Sequence, residues 1–529
     1  MENEAMEIKV IRDGKTIVFQ GKEEEALLDQ LRDQGVYISA ACGGGGRCGK
    51  CRVQMTKGAT EPGEEDVKCL GQEELEAGWR LACTAYPRED CTLVIASADE
   101  SQFEVVAGSS EEEIRSVKTE SGYDIAIDIG TTTIAMELVG RSQGQPLHTV
   151  TSINHQRAYG ADVISRIQAS NEGEKEALQE SICRDLYEGI RRLLEESGAQ
   201  PELVGKIAIA GNTTMGHLLM GYSCETLGVY PFTPVNIDTI TATFEEMFAS
   251  QIKEHGETAL KLNAQVTLLP GITTYVGADI SAGMLACDFD RMESPCLLID
   301  LGTNGEMALG SKDGILVTST AAGPAFEGGN ISWGMGSVPG AICGVSVQEG
   351  TAQVETIGDQ PPVGLCGTGV IETAYELVKE ELVDETGMLE EDYFEEGFPL
   401  ADTKQGETIV FTQKDVREIQ LAKSAVRAGI ETLLLRSGIG YKDVGQVFLA
   451  GGFGYRVDLK KAVGIGMLPE ELEGKTTAVG NSSLSGARRY LTEGDAAKRL
   501  RQIIASSDEV ELSSDKDFNQ FYTEYMFFE

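Results

Sequence analysis

Four of the twelve cysteines, Cys42, Cys48, Cys51 and Cys83, stand in the order C-x5-C-x2-C-x31-C, the first three inside CGGGGRCGKC. Thiolates so spaced suit an iron–sulfur cluster, whose ligands sit on a loop bent tightly around it. Five glycines in the run permit the positive-φ turns and close backbone approach that such wrapping requires. A zinc clasp fits less well, because zinc sites favour paired CxxC steps and have no use for a polyglycine wrap. The reading is a [2Fe–2S] centre with Cys83 as fourth ligand, and Cys69 and Cys91 as the rivals for that place. The run from Gly44 to Cys51 nearly spells the phosphate loop GxxxxGK[ST]. Cys51, however, stands where the Mg²⁺-binding hydroxyl belongs. Four histidines are too few for a His-rich metal site.

A second chemistry is written twice. DIGTTT (128–133) and DLGTNGE (300–306) each follow an apolar run, with Asp at the strand end. A bare carboxylate repels phosphate, but through Mg²⁺ and its water shell it can hold one. The Gly-Thr that follows offers backbone N–H groups and hydroxyls able to cradle a β- or γ-phosphate. One such motif alone would be an ordinary β-turn. Three signatures, however, recur in the same order. YDIAIDIGTTTIAMELVG (123–140) pairs with CLLIDLGTNGEMALG (296–310), IAIAGNTTMG (207–216) with VFLAGGFGYR (447–456), and YVGADISAGMLA (275–286) with AVGNSSLSGARR (478–489). The repeat predicts two similar lobes with a nucleotide gripped between them.

The elements that must position these residues follow from the patterning. Apolar β-rich runs flank Asp13-Gly14 in residues 6–19, a hairpin signal. Helical spacing over 23–34 ends at Gly35, and strand-like RVQMT, a helix near 72–78 and TLVIA (92–96) complete a small α+β unit. We expect that unit over 1–98, an acidic serine-bearing linker over 99–121, lobe I over 122–290 and lobe II over 291–529. Acidic residues outnumber basic ones 85 to 44, for a formal charge of −41, which argues against nucleic-acid and anionic-membrane surfaces. No run reaches the roughly 18 apolar residues that suggest a spanning helix. The acidic N-terminus lacks a signal-peptide profile, so a cytoplasmic protein is expected.

Smaller features carry weaker expectations. GLCGTGVIE (364–372) reads equally as a nucleotide contact or a packing point. The glycine-rich 321–342 reads as a mobile loop, and His217 as structural. Arg157 and Arg166 read as reaching a partner or phosphate, or pairing with carboxylates, and the acidic run 384–396 as a solvated face.

The Arg80-Leu81-Ala82-Cys83 context resembles the C-x5-C-x2-C ferredoxins, and the duplicated motifs resemble the acetate and sugar kinase, Hsp70 and actin superfamily. That resemblance implies a β-grasp ferredoxin domain followed by a two-lobed α/β actin-like ATPase with duplicated RNase H-like halves. In its terms Asp128 and Asp300 order Mg²⁺, while Gly130, Thr131, Thr132, Gly302, Thr303 and Asn304 form the phosphate loops. Gly451 and Gly452 let the backbone approach adenosine, and Asp279 or Glu306 orients the attacking water. The order of domains, with NTTMGHLL, GADVISRI, GPAFEGG and VFLAGGFG, is similar to the reductive activators of corrinoid-dependent enzymes. That family implies ATP-driven reduction of a Co(II) corrinoid protein to Co(I), an upstream low-potential reductant, no nucleic-acid or membrane partner, and room for a homodimer. Longer members carry an extra domain between ferredoxin and ATPase, where this chain has about 23 residues. The rival readings are an activator of radical dehydratases or aryl-CoA reductases, for which Cys287 and Cys296 are the nearest cysteine pair, and a nucleotide-gated electron carrier or chaperone.

Overall fold

The computed structural model describes residues 6–12, 15–38, 40, 44–46, 49–95, 117, 120–404, 406–451 and 457–528. Cys42, Cys48, Gly452, the Asp13-Gly14 turn and nearly all of the expected linker lie outside the described residues.

The N-terminal unit is a five-stranded sheet with strand order β2-β1-β5-β3-β4. Its strands are β1 (Glu7–Arg12), β2 (Lys15–Gln20), β3 (Arg52–Lys57), β4 (Trp79–Leu81) and β5 (Cys91–Val94). β1 and β2 pair as the expected antiparallel hairpin, from Glu7↔Gln20 to Arg12↔Lys15, and β5 lies parallel to β1. Helix α1 (Leu27–Asp33) crosses one face because Leu27, Leu28 and Leu31 form a buried stripe. It is shorter than the sequence periodicity suggests and stops as expected before Gly35, at φ +69. Helix α2 (Glu64–Cys69) was not anticipated, and α3 (Gln72–Glu76) was.

The two following lobes share one topology. Lobe I has β6 (Tyr123–Ile129), β7 (Thr133–Gly140), β8 (Pro146–Ile153), β9 (Val204–Gly211), β10 (Ile240–Thr243) and β11 (Gln265–Leu268), in order β10-β11-β9-β6-β7-β8. In lobe II, β12 (Cys296–Leu301), β13 (Gly305–Ser311) and β14 (Gly314–Thr320) open the sheet. A subsidiary sheet of β15 (Ala341–Gln348), β16 (Thr351–Thr356) and β17 (Gly364–Leu365) follows, then the hairpin β18 (Phe398–Asp402) and β19 (Thr408–Phe411). β20 (Gln446–Ala450), β21 (Thr476–Gly480) and β22 (Ser507–Glu509) complete the main sheet in order β21-β20-β12-β13-β14-β22. Without the outer strands β10 and β22, the two orders superimpose position for position. In each lobe the first strand pairs parallel with one later strand (β9 or β20), which pairs parallel with the next (β11 or β21), and antiparallel with the hairpin strand that follows it. β6 and β12 are buried on both faces, as central strands between packed layers must be.

Helices α4 (Val163–Ala169), α5 (Lys175–Ser197) and α6 (Thr213–Met220) belong to lobe I, and α7 (Ala278–Ala286) leads out of it. Lobe II carries α8 (Gly367–Lys379), α9 (Gln413–Ser437), α10 (Ser482–Thr492), α11 (Ala496–Ala505) and α12 (Lys516–Glu524). The carboxyl end is pinned by buried Lys423 on α9, whose Nζ donates to the carbonyls of Tyr525 (2.7 Å) and Phe527 (2.6 Å).

The lobes meet along α7 and α10, the repeated third signature. Ala278, Ile280, Ala282 and Leu285 share one apolar core with Leu484 and Ala487. Glycines allow the approach, since a Cβ at Gly283 would stand 2.7 Å from Ser482 Oγ and one at Gly486 would strike the Ala282 carbonyl. The segment 321–342 departs from expectation. Ala325, Phe326, Ile331 and Val338 are buried, so it packs into lobe II instead of hanging free. GLCGTGVIE is a packing point, with Gly367 pressed on the Phe326 carbonyl and Gly369 on that of Ile342. The acidic run at 384–396 is exposed, and no described helix is long and apolar enough to cross a membrane.

Gly486→Ala should therefore lose about 1–3 kcal/mol despite alanine's better helix propensity, because the obstacle is backbone and cannot turn aside. Gly494→Ala, whose new methyl meets nothing within 4 Å, should be neutral. Urea unfolding of the two variants tests the pair, and equal midpoints would contradict this account of the lobe junction.

Candidate functional site

Each phosphate motif is a tight turn between paired strands. In lobe I, Gly130 N–H donates to the Thr133 carbonyl (3.0 Å), and a Cβ on Gly130 would stand 2.6 Å from that oxygen. In lobe II, Gly302 N–H donates to the Asn304 carbonyl (3.1 Å). Strand register makes the repeat literal, for Asp128 lies opposite Ala210 on β9 and Asp300 opposite Ala450 on β20. Just beyond stand Gly211 (φ +158) and Gly451 (φ +120), each facing the carbonyl beside the neighbouring aspartate, Ile129 or Leu301, where a Cβ would intrude. Gly451 is thus demanded by strand approach beneath the phosphate loop, a reason independent of adenosine.

The aspartates are joined across the lobe boundary by the start of α10. Asn481 Nδ2 and Ser483 Oγ both donate to Asp128, each at 2.7 Å, and Ser482 Oγ reaches Asp300 at 3.5 Å. Lobe II thus supplies donors to the phosphate aspartate of lobe I, and the Arg488–Glu137 ion pair (2.9 Å) braces the same crossing.

Asp279 begins α7 and accepts the Ile280 N–H at 2.8 Å. Glu306 lies opposite Asp300 on β13, with Ser319 Oγ at 3.4 Å. Burial, then the charge of Asp128, pushes the Asp279 carboxyl up to about 7. Burial, then Asp279 and Asp128, pushes Asp300 up to about 8, and Glu306 is raised by burial, then by Asp279 and Asp300. Among the described residues no three side chains are set to chelate a metal ion directly. Mg²⁺ keeps several waters and is held at one remove by carboxylates, of which Asp128, Asp279, Asp300 and Glu306 supply four. The donor set, all oxygen and strongly anionic, fits that ion and a phosphate chain.

The loops also have supports that sequence reasoning assigned otherwise. Arg166 is fully buried and donates to the carbonyls of Thr131 (2.5 Å) and Gly160 (2.9 Å), so it holds the first phosphate loop from behind. Asn212 Nδ2 donates to Thr131 Oγ1 (3.2 Å), and Asn154 grips the loop through the Gly130 and Thr132 carbonyls, both at 2.9 Å. His217 is structural, as expected. Its Nδ1 meets the Thr213 carbonyl (2.8 Å), and its Nε2 accepts the Val235 N–H (2.9 Å). Glu327, absent from the sequence candidates, accepts from Thr303 Oγ1 at 2.6 Å. Only its place in GPAFEGG, between glycines at φ +79 and +78, could have flagged it.

In the N-terminal unit, Cys51 Sγ and Cys83 Sγ are 3.3 Å apart, close enough to share one metal ion. The contact with Cys83 lowers the Cys51 thiol to about 7, toward the thiolate that ligation needs. Gly44, Gly46 and Gly49 all take positive φ, and a Cβ on Gly46 would stand 2.8 Å from Glu65 Cγ, so the loop is folded as a glycine wrap. Cys91 is no rival. It is buried on β5, where burial raises its thiol to about 11. Cys69 faces the Gly46 carbonyl at 3.8 Å. These residues fit a cluster. The unit rests on lobe I through residues 155–159. Arg32 stacks on Tyr159 (4.5 Å to the ring centre) and donates to the Ala158 carbonyl, while Tyr37 meets His155 at 5.1 Å between ring centres. A cavity of about 300 Å³ opens beside this seam, lined by Gly44, Cys83, Tyr159, Glu172 and Glu174 among others.

Comparison with known proteins accords with this geometry. Residues 10–88 match the 2Fe-2S iron-sulfur cluster binding domain, 123–292 the RACo middle region, and 294–529 the C-terminal domain of RACo, the ASKHA domain. The corrinoid activation enzyme RamQ of Eubacterium limosum is 32% identical over 424 residues, 76% of this chain and 69% of that protein. The chain belongs to the RACo family of reductive activators. A reductase of Methanosarcina barkeri, described as acting on a Co(II) methylated amine-specific corrinoid protein, is 29% identical over 76% of each chain. A solved reductive activator for corrinoid, iron-sulfur protein matches with TM-score 0.71 and 27% identity, over 99% of this chain and 98% of that one. As a RACo-family activator the chain carries a [2Fe–2S] cluster and an ATP-binding ASKHA domain.

Two outcomes follow for this activator. Cys51→Ser should abolish the visible absorption of the cluster, and a retained spectrum would exclude Cys51 as a ligand. Free carboxyls titrate near about 4, so between there and about 8 the nucleotide-free folded chain keeps protons that the unfolded chain has released. Stability must then fall as pH rises. Mg²⁺ should raise the melting temperature more at about pH 8 than at about pH 6, and an equal gain at both would contradict the acidic wall.

Proposed function

We propose that this chain is an ATP-driven activator that passes a low-potential electron from its N-terminal cluster to a Co(II) corrinoid protein, restoring the methyl-accepting Co(I) state. The observation that carries the reading is a physical connection. Asn154 holds the first phosphate loop, and the next residues, 155–159, form the seat of the cluster-bearing unit. A change in the nucleotide therefore bears on the unit that donates the electron. The names of the relatives, a corrinoid activation enzyme and a corrinoid-protein reductase, supply the acceptor.

In this reading Cys42, Cys48, Cys51 and Cys83 ligate the cluster, which supplies one electron near the potential of plant-type ferredoxins, about −400 mV. Asp128 and Asp300 order Mg²⁺, with Asp279 and Glu306 completing the acidic wall around its water shell. Gly130, Thr131, Thr132, Gly302, Thr303 and Asn304 cradle the phosphates, and Gly451 and Gly452 border the adenosine. The functional units are 1–98 for the electron carrier, 122–290 and 291–529 for the two lobes, with 99–121 as the tether. We place the protein in the cytoplasm, as expected for reduced thiols, with a low-potential reductant upstream and pairing of two chains allowed.

Anaerobic absorption spectroscopy of a Co(II) corrinoid protein with this activator and a chemical reductant should show Co(I) forming only when Mg·ATP is added. Equal reduction without nucleotide would refute the coupling. Asp300→Ala should eliminate ATP turnover while leaving the EPR signal of the reduced cluster, and unchanged turnover would remove the second phosphate loop from the site.

A further inference from the structure

Glu327 lies where the two phosphate loops converge. Its carboxyl accepts the hydroxyl of Thr303 from the lobe II loop at 2.6 Å, and Thr132 of the lobe I loop stands near enough to favour its charged form. Its Oε1 also lies 3.8 Å from where a Cβ on Gly302 would be. The side chain is held in place by its turn. Pro324–Glu327 is a short helical turn closed by Gly328 N–H on the Ala325 carbonyl (3.0 Å) and Gly329 N–H on the Pro324 carbonyl (2.8 Å). Neighbouring Phe326 is fully buried, and its carbonyl is covered by Gly367. The carboxyl therefore sits on a fixed support and needs no loop closure to reach the cleft.

The other acids are committed elsewhere. Asp279 accepts the N–H at the start of its own helix, Glu306 is on a central strand among Asp300 and Asp279, and Asp128 is saturated by Asn481 and Ser483. Glu327 takes the Thr303 hydroxyl, which a γ-phosphate in the cleft would also use. A phosphate seated there leaves the carboxylate facing it as a second anion. The two can share the cleft only with a donor between them, and water supplies one.

We propose that Glu327 is the residue that orients the attacking water and accepts its proton during ATP hydrolysis. The step balances without a further reactant. The water oxygen bonds to the γ-phosphorus, the bond from that phosphorus to the oxygen retained by ADP breaks, and the water proton passes to the Glu327 carboxylate and then to solvent. The inference rests on the ATPase reading above and adds the group that acts on water, in place of Asp279 or Glu306.

The test uses the full-length holoprotein and compares Glu327→Gln and Glu327→Asp with the unaltered chain. Phosphate release gives kcat, a fluorescent ATP analogue with Mg²⁺ gives affinity, and cluster absorption and thermal melting report the fold. Glu327→Gln should lower kcat by about 100-fold, the scale of general-base loss. Nucleotide affinity should be unchanged or tighter, because an anion beside the phosphate is gone. Glu327→Asp should recover part of the rate. A kcat within about threefold of the unaltered chain in Glu327→Gln, measured against the same general-base scale, would overturn the proposal. So would a parallel loss of affinity and melting temperature in both variants, which marks a structural tie. Failure of the unaltered chain to bind or hydrolyse Mg·ATP would overturn the ATPase reading instead, and the water role with it.

Discussion

Buried negative charges of like sign cannot share a small cleft unless something offsets them. Asp128, Asp279, Asp300 and Glu306 come from two lobes and converge on one such cleft, and the chain balances the conflict only in part. Donors from the start of α10 satisfy Asp128 and barely reach Asp300. The remainder is a standing demand for a hydrated cation and for the phosphate donors of the loops. Much else in the two lobes can be read as holding that unstable arrangement still. Arg166 and Asn154 stand behind the first loop, Gly211 and Gly451 let strands close beneath both, and Gly283 and Gly486 let the lobes cross.

Duplication explains how one site can be assembled from distant parts of a chain. Each half contributes a strand-ending aspartate, a glycine on the neighbouring strand and a small-residue helix, and the pseudo-symmetry brings the two sets face to face. It is not perfect. Asp128 is held by the opposite lobe, whereas Asp300 receives only a long bond from its own lobe. Asp300 is also pushed higher than Asp279, to about 8 against about 7. Lobe II further carries the inserted sheet, the β18–β19 hairpin and the Phe326 turn, and that turn brings Glu327 to the second phosphate loop.

Much of this was legible beforehand because it depends on local pattern. The Asp-Gly-Thr turns, the glycine after each inner strand and the Gly-rich helix starts recur at spacings that only a repeated fold would keep, and register pairs them as the alignment of the two halves does. What was not legible depends on packing across long separations. The Gly-rich 321–342 has the composition of a loose loop, yet Phe326 anchors it in the core, and its neighbour Glu327 reaches a threonine 24 residues earlier. Arg166 reads from sequence as reaching a partner or phosphate or pairing with carboxylates, and only the fold turns it onto the carbonyls behind the first loop. Cys83 lies 3.3 Å from Cys51 across 32 residues, a fact of three-dimensional proximity that spacing could suggest and not decide.

The seat of the electron-carrying unit on lobe I is built of small contacts. Among the described residues they include a guanidinium over a phenol ring, the Arg32 bond to the Ala158 carbonyl, the Arg184 bond to the Tyr37 hydroxyl and a pair of rings, beside an open cavity. Contacts of these kinds contribute about 0.5–2 kcal/mol each. A joint of such contacts is a poor strut and a good toggle. A shift of about 1.4 kcal/mol at the adjoining nucleotide loop changes the ratio of docked to released about tenfold, and with it how often the carrier is free to meet another molecule.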